Sequence, residues 1–154
     1  MKGGFVRMII NFNIAKKFIE PLITINTDEK TSDMERLAKS IDRISDGWQI
    51  QGIQNGRKKQ ISMYQIIGFH TDGKKVICQT SEGEYRVNKR IYELKDALPD
   101  KLFIQISSSE IISIASIKDL ELTKSGIYQI NLNDGSETYT SRRYMKLLRE
   151  KLLK

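Results

Sequence analysis

The chain has 154 residues, 39% of them hydrophobic and 29% charged, which is typical of a soluble globular domain. Lys and Arg number 26 against 19 Asp and Glu, and this net charge of +7 favours a polyanionic partner such as nucleic acid. One cysteine and one histidine, Cys78 and His70, are too few for a zinc site of about four such ligands or for a disulfide framework. The scarcity of cysteine predicts a reducing, cytoplasmic location.

Two short strands are predicted near the start of the chain. Apolar residues alternate with asparagines over residues 10–14, which is the period of a β-strand. A second short apolar run, residues 22–25, follows Pro21. We expect these two segments to pair or to lie against the helix that follows them.

A helix is predicted over residues 31–44, where apolar side chains recur at helical spacing on one face. Ser32 followed by Glu35 has the pattern of a capping box at its start. Together these elements predict a small β-β-α N-terminal region, residues 1–55. Dimerisation, a regulatory contact and coverage of a sheet edge are all open as its role. The apolar helix positions are Met34, Leu37, Ala38, Ile41 and Ile44.

From residue 48 onward, strand patterns and tight turns dominate. Turn pairs ending in glycine occur at residues 55–56, 72–73, 82–83 and 134–135. Strand patterns cover residues 61–69, 76–80, 85–87, 102–106, 110–114, 117–122, 127–132 and 137–140. Two helices, residues 88–98 and 141–153, interrupt and end the series. The predicted fold class is therefore mostly β (α+β), with small antiparallel sheets and short helices. The polar stretch at residues 54–60 is interpreted as the boundary between residues 1–55 and a second domain, residues 56–154.

Catalytic chemistry is poorly supported by the residues present. A hydrolase would need His70 as its base, and we expect an ordinary loop histidine there rather than a base or a nucleic-acid contact. Cys78 lies within a strand pattern and is expected to be a buried, inert thiol. The acidic residues are scattered, and the sequence has no glycine-rich phosphate loop. We expect no enzyme, no cofactor, no metal site and no small-molecule substrate.

Basic and hydroxyl side chains lie in three loops. A lysine pair follows a tight turn, an arginine pair opens the last helix, and three serines separate two apolar runs. Lysine contacts phosphate as a point charge, arginine can bond guanine at two atoms, and serine can reach phosphates or base edges. A solvated helix start and a plain turn are the alternative interpretations. The candidate DNA-binding residues are Lys74, Lys75, Ser107, Ser108, Ser109, Arg142 and Arg143.

An ordered set of segments resembles the LytTR family of DNA-binding domains. The central one combines an aromatic residue, a short strand, a polar serine loop and a second apolar strand. A helix pattern precedes it, and the final segment is Ser-Arg-Arg-Tyr. The resemblance extends over about residues 58–154, two thirds of the chain. The segments are residues 103–114, 91–99, 117–122, 132–135 and 141–144.

The resemblance implies an elongated arrangement of small β-sheets whose loops enter successive major grooves of DNA. The three contact regions of the family fall on the candidate residues named above, and Arg143 stands where a base-contacting arginine is expected. Ser108 stands where the family often has Asn or Arg, and serine cannot make the bidentate contact to adenine that asparagine makes. Residues 1–57 are too few for a receiver domain, so the chain resembles the receiver-less bacterial type. In related systems a small membrane protein often restrains such regulators.

The sequence therefore predicts a bacterial transcription regulator that binds double-stranded DNA at promoter repeats, as a homodimer. The main alternative is a β-rich protein-interaction adaptor without sequence-specific DNA binding. RNA binding is a third interpretation, but the aromatic residues are dispersed rather than placed on adjacent strands, as a stacking surface would need.

Overall fold

The computed structural model describes residues 7–46 and 48–153. Among these residues the helices are α1 (Ser32–Asp46), α2 (Ile91–Ala97) and α3 (Met145–Leu152). The strands of the first half are β1 (Gln49–Gln54), β2 (Arg57–Ser62), β3 (Ile66–Asp72), β4 (Lys75–Thr80) and β5 (Gly83–Val87). Those of the second half are β6 (Phe103–Ser107), β7 (Glu110–Ser113), β8 (Ile117–Leu122), β9 (Tyr128–Leu132) and β10 (Glu137–Tyr139). Single 3-10 turns occupy Met63–Gln65, Ile114–Ser116 and Arg142–Tyr144.

The chain divides into two compact units, Met1–Ala38 and Lys39–Lys154. In the first unit the prediction of two strands is wrong, because residues 7–31 adopt no strand. Ile10, Phe12 and Ile14 are 84%, 88% and 90% exposed. Alternation of side chains does not suffice for a strand, since two short strands without a packed face are marginal in water. The N-terminal region therefore contains a helix without the predicted β-β pair.

The predicted helix over residues 31–44 is confirmed as α1. Its first turn differs from the predicted capping box by one residue. The Thr31 hydroxyl accepts a hydrogen bond from the Met34 N–H at 3.2 Å, and the Glu35 N–H donates to the Thr31 carbonyl at 3.1 Å. Thr31 therefore occupies the N-cap position, where a hydroxyl satisfies one of the free amides of the first turn.

Seven strands form one antiparallel sheet in the order β2-β1-β5-β4-β3-β7-β6. The Asn55-Gly56 turn joins β1 to β2 with φ angles of 50° and 74°, as a tight hairpin turn of the mirror-image type requires. β1 lies before residue 55, yet it pairs with β5 at Gly52 and Ile53. The polar stretch at residues 54–60, the predicted domain boundary, thus lies in the β1–β2 hairpin at the edge of the sheet.

One face of this sheet carries the first of two cores. Ile61, Phe69 and Cys78 point to this face and are almost completely buried. Helix α2 packs on the same core through Ile91 and Leu94, and Leu98, directly after the helix, belongs to this core as well. This packing fixes α2 against the sheet, so that its remaining side chains face outward from a rigid support.

The second core lies between β6, β7, helix α3 and a three-stranded antiparallel sheet in the order β10-β9-β8. Its buried members are Ile104, Ile106, Ile112, Ile130, Leu132 and Leu148. Because side chains alternate along a strand, Phe103 and Ile111 point instead into the first core. Hairpin β6–β7 is therefore buried on both faces. None of the helices that the structure describes is long and apolar enough to cross a bilayer.

Candidate nucleic-acid interface

Two main-chain hydrogen bonds bring the three predicted contact loops to one end of the large sheet. The Thr71 N–H, beside the β3–β4 turn, donates to the Ser109 carbonyl in the β6–β7 loop at 3.0 Å. The Ser141 N–H, before the arginine pair, donates to the Ile106 carbonyl of β6 at 2.9 Å. Segments that are far apart in sequence are thereby held in fixed relative positions.

The loops border an open groove with a volume of about 1100 Å³. On one side it is lined by Arg90, the residue before α2, and by Ile91, Tyr92 and Lys95 of α2. On the other side it is lined by Arg143, Tyr144 and Leu147. Between them lie Thr71, Gly73, Lys74, Val76, Gln105 and Ser108. The described residues that line the groove thus include four cations and no acidic side chain, a charge distribution that favours an anionic ligand.

Lys74 lies in the groove, whereas its neighbour Lys75 does not. Gly73 and Lys74 form the two-residue turn between β3 and β4, and Gly73 has a φ of 61°, a conformation that favours glycine. Val76 points toward the groove, and side chains alternate along a strand, so Lys75 at the start of β4 points to the opposite face. The structure therefore separates the two lysines that the sequence pairs.

The three serines also differ in position. The Ser107 and Ser109 hydroxyls lie 3.2 Å apart, and the Ser109 N–H donates to the Ser107 hydroxyl at 3.2 Å. These two side chains therefore shape the loop. Ser108 is exposed, lines the groove and has no hydrogen-bond partner for its side chain among the described residues. Its hydroxyl is free to contact a ligand.

A β-bulge positions the end of β6. Gln105 pairs with Ile111 and Ser107 pairs with Glu110, so Ile106 is an extra residue without a cross-strand partner. A bulge bends its strand and redirects the adjacent side chains. Here the Ile106 carbonyl accepts the hydrogen bond from Ser141 while its side chain is fully buried. The bulge thus connects the serine loop to the turn that carries the arginines.

The two arginines of that turn point in different directions. The Arg142 guanidinium donates a hydrogen bond to the Ser125 carbonyl in the β8–β9 loop, with a nitrogen–oxygen distance of 3.4 Å. Arg143 is exposed and lines the groove, and its guanidinium has no partner in the part of the chain that the structure describes. Arg143 is therefore the arginine available to a ligand in the groove.

The acidic residue that directly follows the serine loop does not line the groove. Glu110 accepts a hydrogen bond from the Thr138 hydroxyl of β10 at 2.7 Å, which connects the two sheets. Burial raises the pKa of the Glu110 carboxyl, while the Thr138 hydrogen bond and the charge of the nearby His70 oppose that rise. His70 lies opposite Glu110 in the β3–β7 pair and is half-buried within a strand, rather than in a loop. Burial also raises the pKa of the Cys78 thiol to about 12, so this group is not a nucleophile.

Sequence reasoning missed the α2 side of the groove. Arg90, Tyr92 and Lys95 line it, although they lie about 50 residues before Arg143. A signal for them exists in the sequence: Lys89 and Arg90 form a basic pair directly before the helix, and Tyr92 and Lys95 share a helix face that is distinct from the buried one.

The model of the LytTr DNA-binding domain family matches residues 56–153 of the chain. A relative from Staphylococcus aureus strain MSSA476, named as an uncharacterized HTH-type transcriptional regulator, is 30% identical over 145 residues, covering 94% of this chain and 98% of the relative. A second such regulator, from S. aureus strain NCTC 8325 / PS 47, is 29% identical over 145 residues, with the same coverage of both chains. A solved LytTr DNA-binding domain from Bacillus cereus superposes with a TM-score of 0.65 at 16% identity, covering 68% of this chain and 95% of that one.

These matches define the class of protein as a DNA-binding transcription regulator with a mostly β fold, and the predicted fold class is confirmed. The chain belongs to the LytTR family, as the sequence segments predicted. This is a family of DNA-binding domains and not of enzymes. A helix-turn-helix needs two helices joined by a short turn. In the described residues strands separate each successive pair of helices, so no such pair forms a helix-turn-helix.

Proposed function

We propose that the protein regulates transcription in the bacterial cytoplasm by binding double-stranded promoter DNA at repeated half-sites. The observation that carries this proposal is the groove, where Lys74, Ser108 and Arg143 of the three loops lie together without an acidic neighbour among the described lining residues. Lys74 supplies charge for a phosphate, Ser108 a hydroxyl for a phosphate or base edge, and Arg143 a planar donor for guanine. No cofactor and no small-molecule substrate enter this function.

Selection from a pool of random duplexes with the full-length protein tests the proposal. We expect enrichment of a short motif that occurs twice, with the half-sites separated by whole helical turns of about 10.5 base pairs. Binding to unselected duplexes should fall steeply with salt, because each neutralised phosphate releases counterions. Recovery of unenriched sequences with weak, salt-independent binding would instead support the β-rich adaptor.

Lys74 and Lys75 provide an internal comparison for the β3–β4 turn. Lys74→Gln should reduce the slope of log K against log salt by about 0.9, the value for one phosphate contact. Lys75→Gln removes the same charge from the next residue, on the opposite sheet face, and should leave the slope unchanged. Fluorescence anisotropy titrations over a series of salt concentrations measure both slopes. A wild-type slope for Lys74→Gln would remove the turn from the DNA contact.

The proposal includes a homodimer formed through the N-terminal region. In the first unit, apolar side chains such as Ile9, Phe12, Ile14 and Ile19 are more than 80% exposed. Large exposed apolar patches are rare on monomers and mark interaction sites, so this many exposed apolar side chains in one segment favours a partner that covers them. We propose that a second copy covers this segment, which would place two DNA-binding domains on adjacent half-sites and increase the effective concentration of the second.

Charged substitutions in the N-terminal segment test the dimer. In F12E/I14E two exposed apolar side chains become carboxylates, and we expect sedimentation equilibrium to show a monomer where the wild type is a dimer. The matched control N11E/N13E introduces the same charge on the intervening residues and should remain dimeric. A monomeric wild type at tens of micromolar, both free and on a two-site duplex, would exclude this role and leave a partner such as a small membrane protein for the segment.

A further inference from the structure

Helix α2 forms one side of the groove although none of its residues belongs to the three loops. Its apolar residues Ile91 and Leu94 are 6% and 1% exposed and hold the helix on the first core. Arg90 and Lys95 are exposed, line the groove, and have no ion-pair or hydrogen-bond partner for their side chains among the described residues. Tyr92, 64% exposed, lies between them.

The charges of α2 are sorted by position. The helix also carries Glu93 and Asp96, three residues apart and therefore on one side, and neither lines the groove. Tyr92 and Lys95 are likewise three residues apart and lie on the groove side. The carboxylates thus avoid the surface on which the cations converge, an arrangement that suits an anionic ligand.

We propose that α2 is a second contact surface for DNA, with Arg90 and Lys95 binding phosphates on the side of the groove opposite Arg143. This inference rests on the proposed function and extends it to residues outside the loops. Arg90 directly precedes α2, and at 1.5 Å per helical residue the rise from Ile91 to Lys95 is about 6 Å. That corresponds to about two nucleotide steps of 3.4 Å along one strand. Phosphates of one DNA strand can therefore contact both Arg90 and Lys95.

The packing of α2 on the first core favours contact with DNA phosphates rather than with bases. Its apolar face is buried in the first core, so only its outward side chains can reach DNA, and Arg90 and Lys95 are the cations among those that line the groove. Loop residues such as Lys74 and Ser108 lie at the ends of hairpins and can project further. The contribution of α2 to affinity should therefore be the same for every DNA sequence.

The test compares two double variants of the full-length protein on two duplexes, the selected operator and one fixed mixed-sequence duplex of equal length. R90Q/K95Q removes two charges from the groove, and K101Q/K118Q removes two charges from exposed positions that do not line it. For R90Q/K95Q we expect the slope of log K against log salt to fall by about 1.8 on both duplexes, with their affinity ratio unchanged. The control should keep the wild-type slope, and thermal unfolding should confirm that both variants fold.

The outcomes separate this inference from the proposed function. If the wild type selects an operator and R90Q/K95Q keeps the slope of the control, α2 does not contact DNA and the inference is wrong. A change in the affinity ratio of the two duplexes would also overturn it, because phosphate contacts do not discriminate between sequences. If the wild type shows no salt-dependent binding, the proposed function fails and this inference fails with it.

Discussion

Arg143→Ala is expected to weaken binding to the selected operator by about 1–3 kcal/mol and to relax the preference at one base pair of each half-site. The guanidinium of Arg143 is exposed in the groove and has no partner in the described part of the chain, so no internal contact competes with a base. Its effect on unselected duplexes should be smaller, since these retain the phosphate contacts. Competition titrations with single-base operator variants measure both quantities.

Arg142→Ala is the matched control, because it removes the same side chain from the preceding residue. Arg142 donates to the Ser125 carbonyl, outside the groove. Because Arg142 does not line the groove, we expect this variant to keep the wild-type base preference and to lose much less affinity for the operator than Arg143→Ala does. Two variants that both bind the operator as the wild type does would place the base-contacting surface elsewhere.

Leu148→Ala is expected to reduce the free energy of unfolding by about 2–5 kcal/mol, the usual cost of truncating a fully buried leucine. Leu148 is 0% exposed and packs in the second core against residues of β6, β7 and β9. It is one of the two buried side chains of α3, together with Met145, so its truncation should also loosen the turn that holds Arg143. Denaturant unfolding measures the first effect, and affinity for the operator well below the transition measures the second.

Leu153→Ala makes the same truncation at the C-terminal end of α3, where the side chain is 53% exposed. It should change the free energy of unfolding by less than about 0.5 kcal/mol. Comparable destabilisation by the two variants would show that α3 is not fixed by the second core.

Residues 48–153 follow local signals, and this explains why most of their strands could be predicted from sequence. The Asn55-Gly56 turn and the glycine at residue 73 adopt positive φ angles that specify tight hairpins. Between such turns, residues 76–80 and 128–132 keep one apolar face each. Most neighbours in sequence become neighbours in a sheet, so local pattern and tertiary pairing agree there, whereas the β1–β5 and β3–β7 pairs join strands that are distant in the chain.

The N-terminal strands fail for the complementary reason. Apolar and polar side chains alternate over residues 10–14 as regularly as in the strands of the sheet, but this alternation does not provide a hydrogen-bonding partner. Pro21, just before the second predicted strand, also lacks an N–H donor. The groove shows a related limit: Arg90 and Arg143 come together only through the packing of two helices on two different cores. A single sequence does not specify how far apart these two arginines lie.

The burial of hairpin β6–β7 on both faces has a consequence for the lifetime of the binding surface. Opening this hairpin would expose both cores at once, so its amides, such as those of Ile104 and Ile112, should exchange with solvent deuterium only through global unfolding. Ser108 lies at the tip of this hairpin. Local fluctuation outside the two cores, such as in the exposed N-terminal segment, can therefore occur without displacing the serine loop from its register.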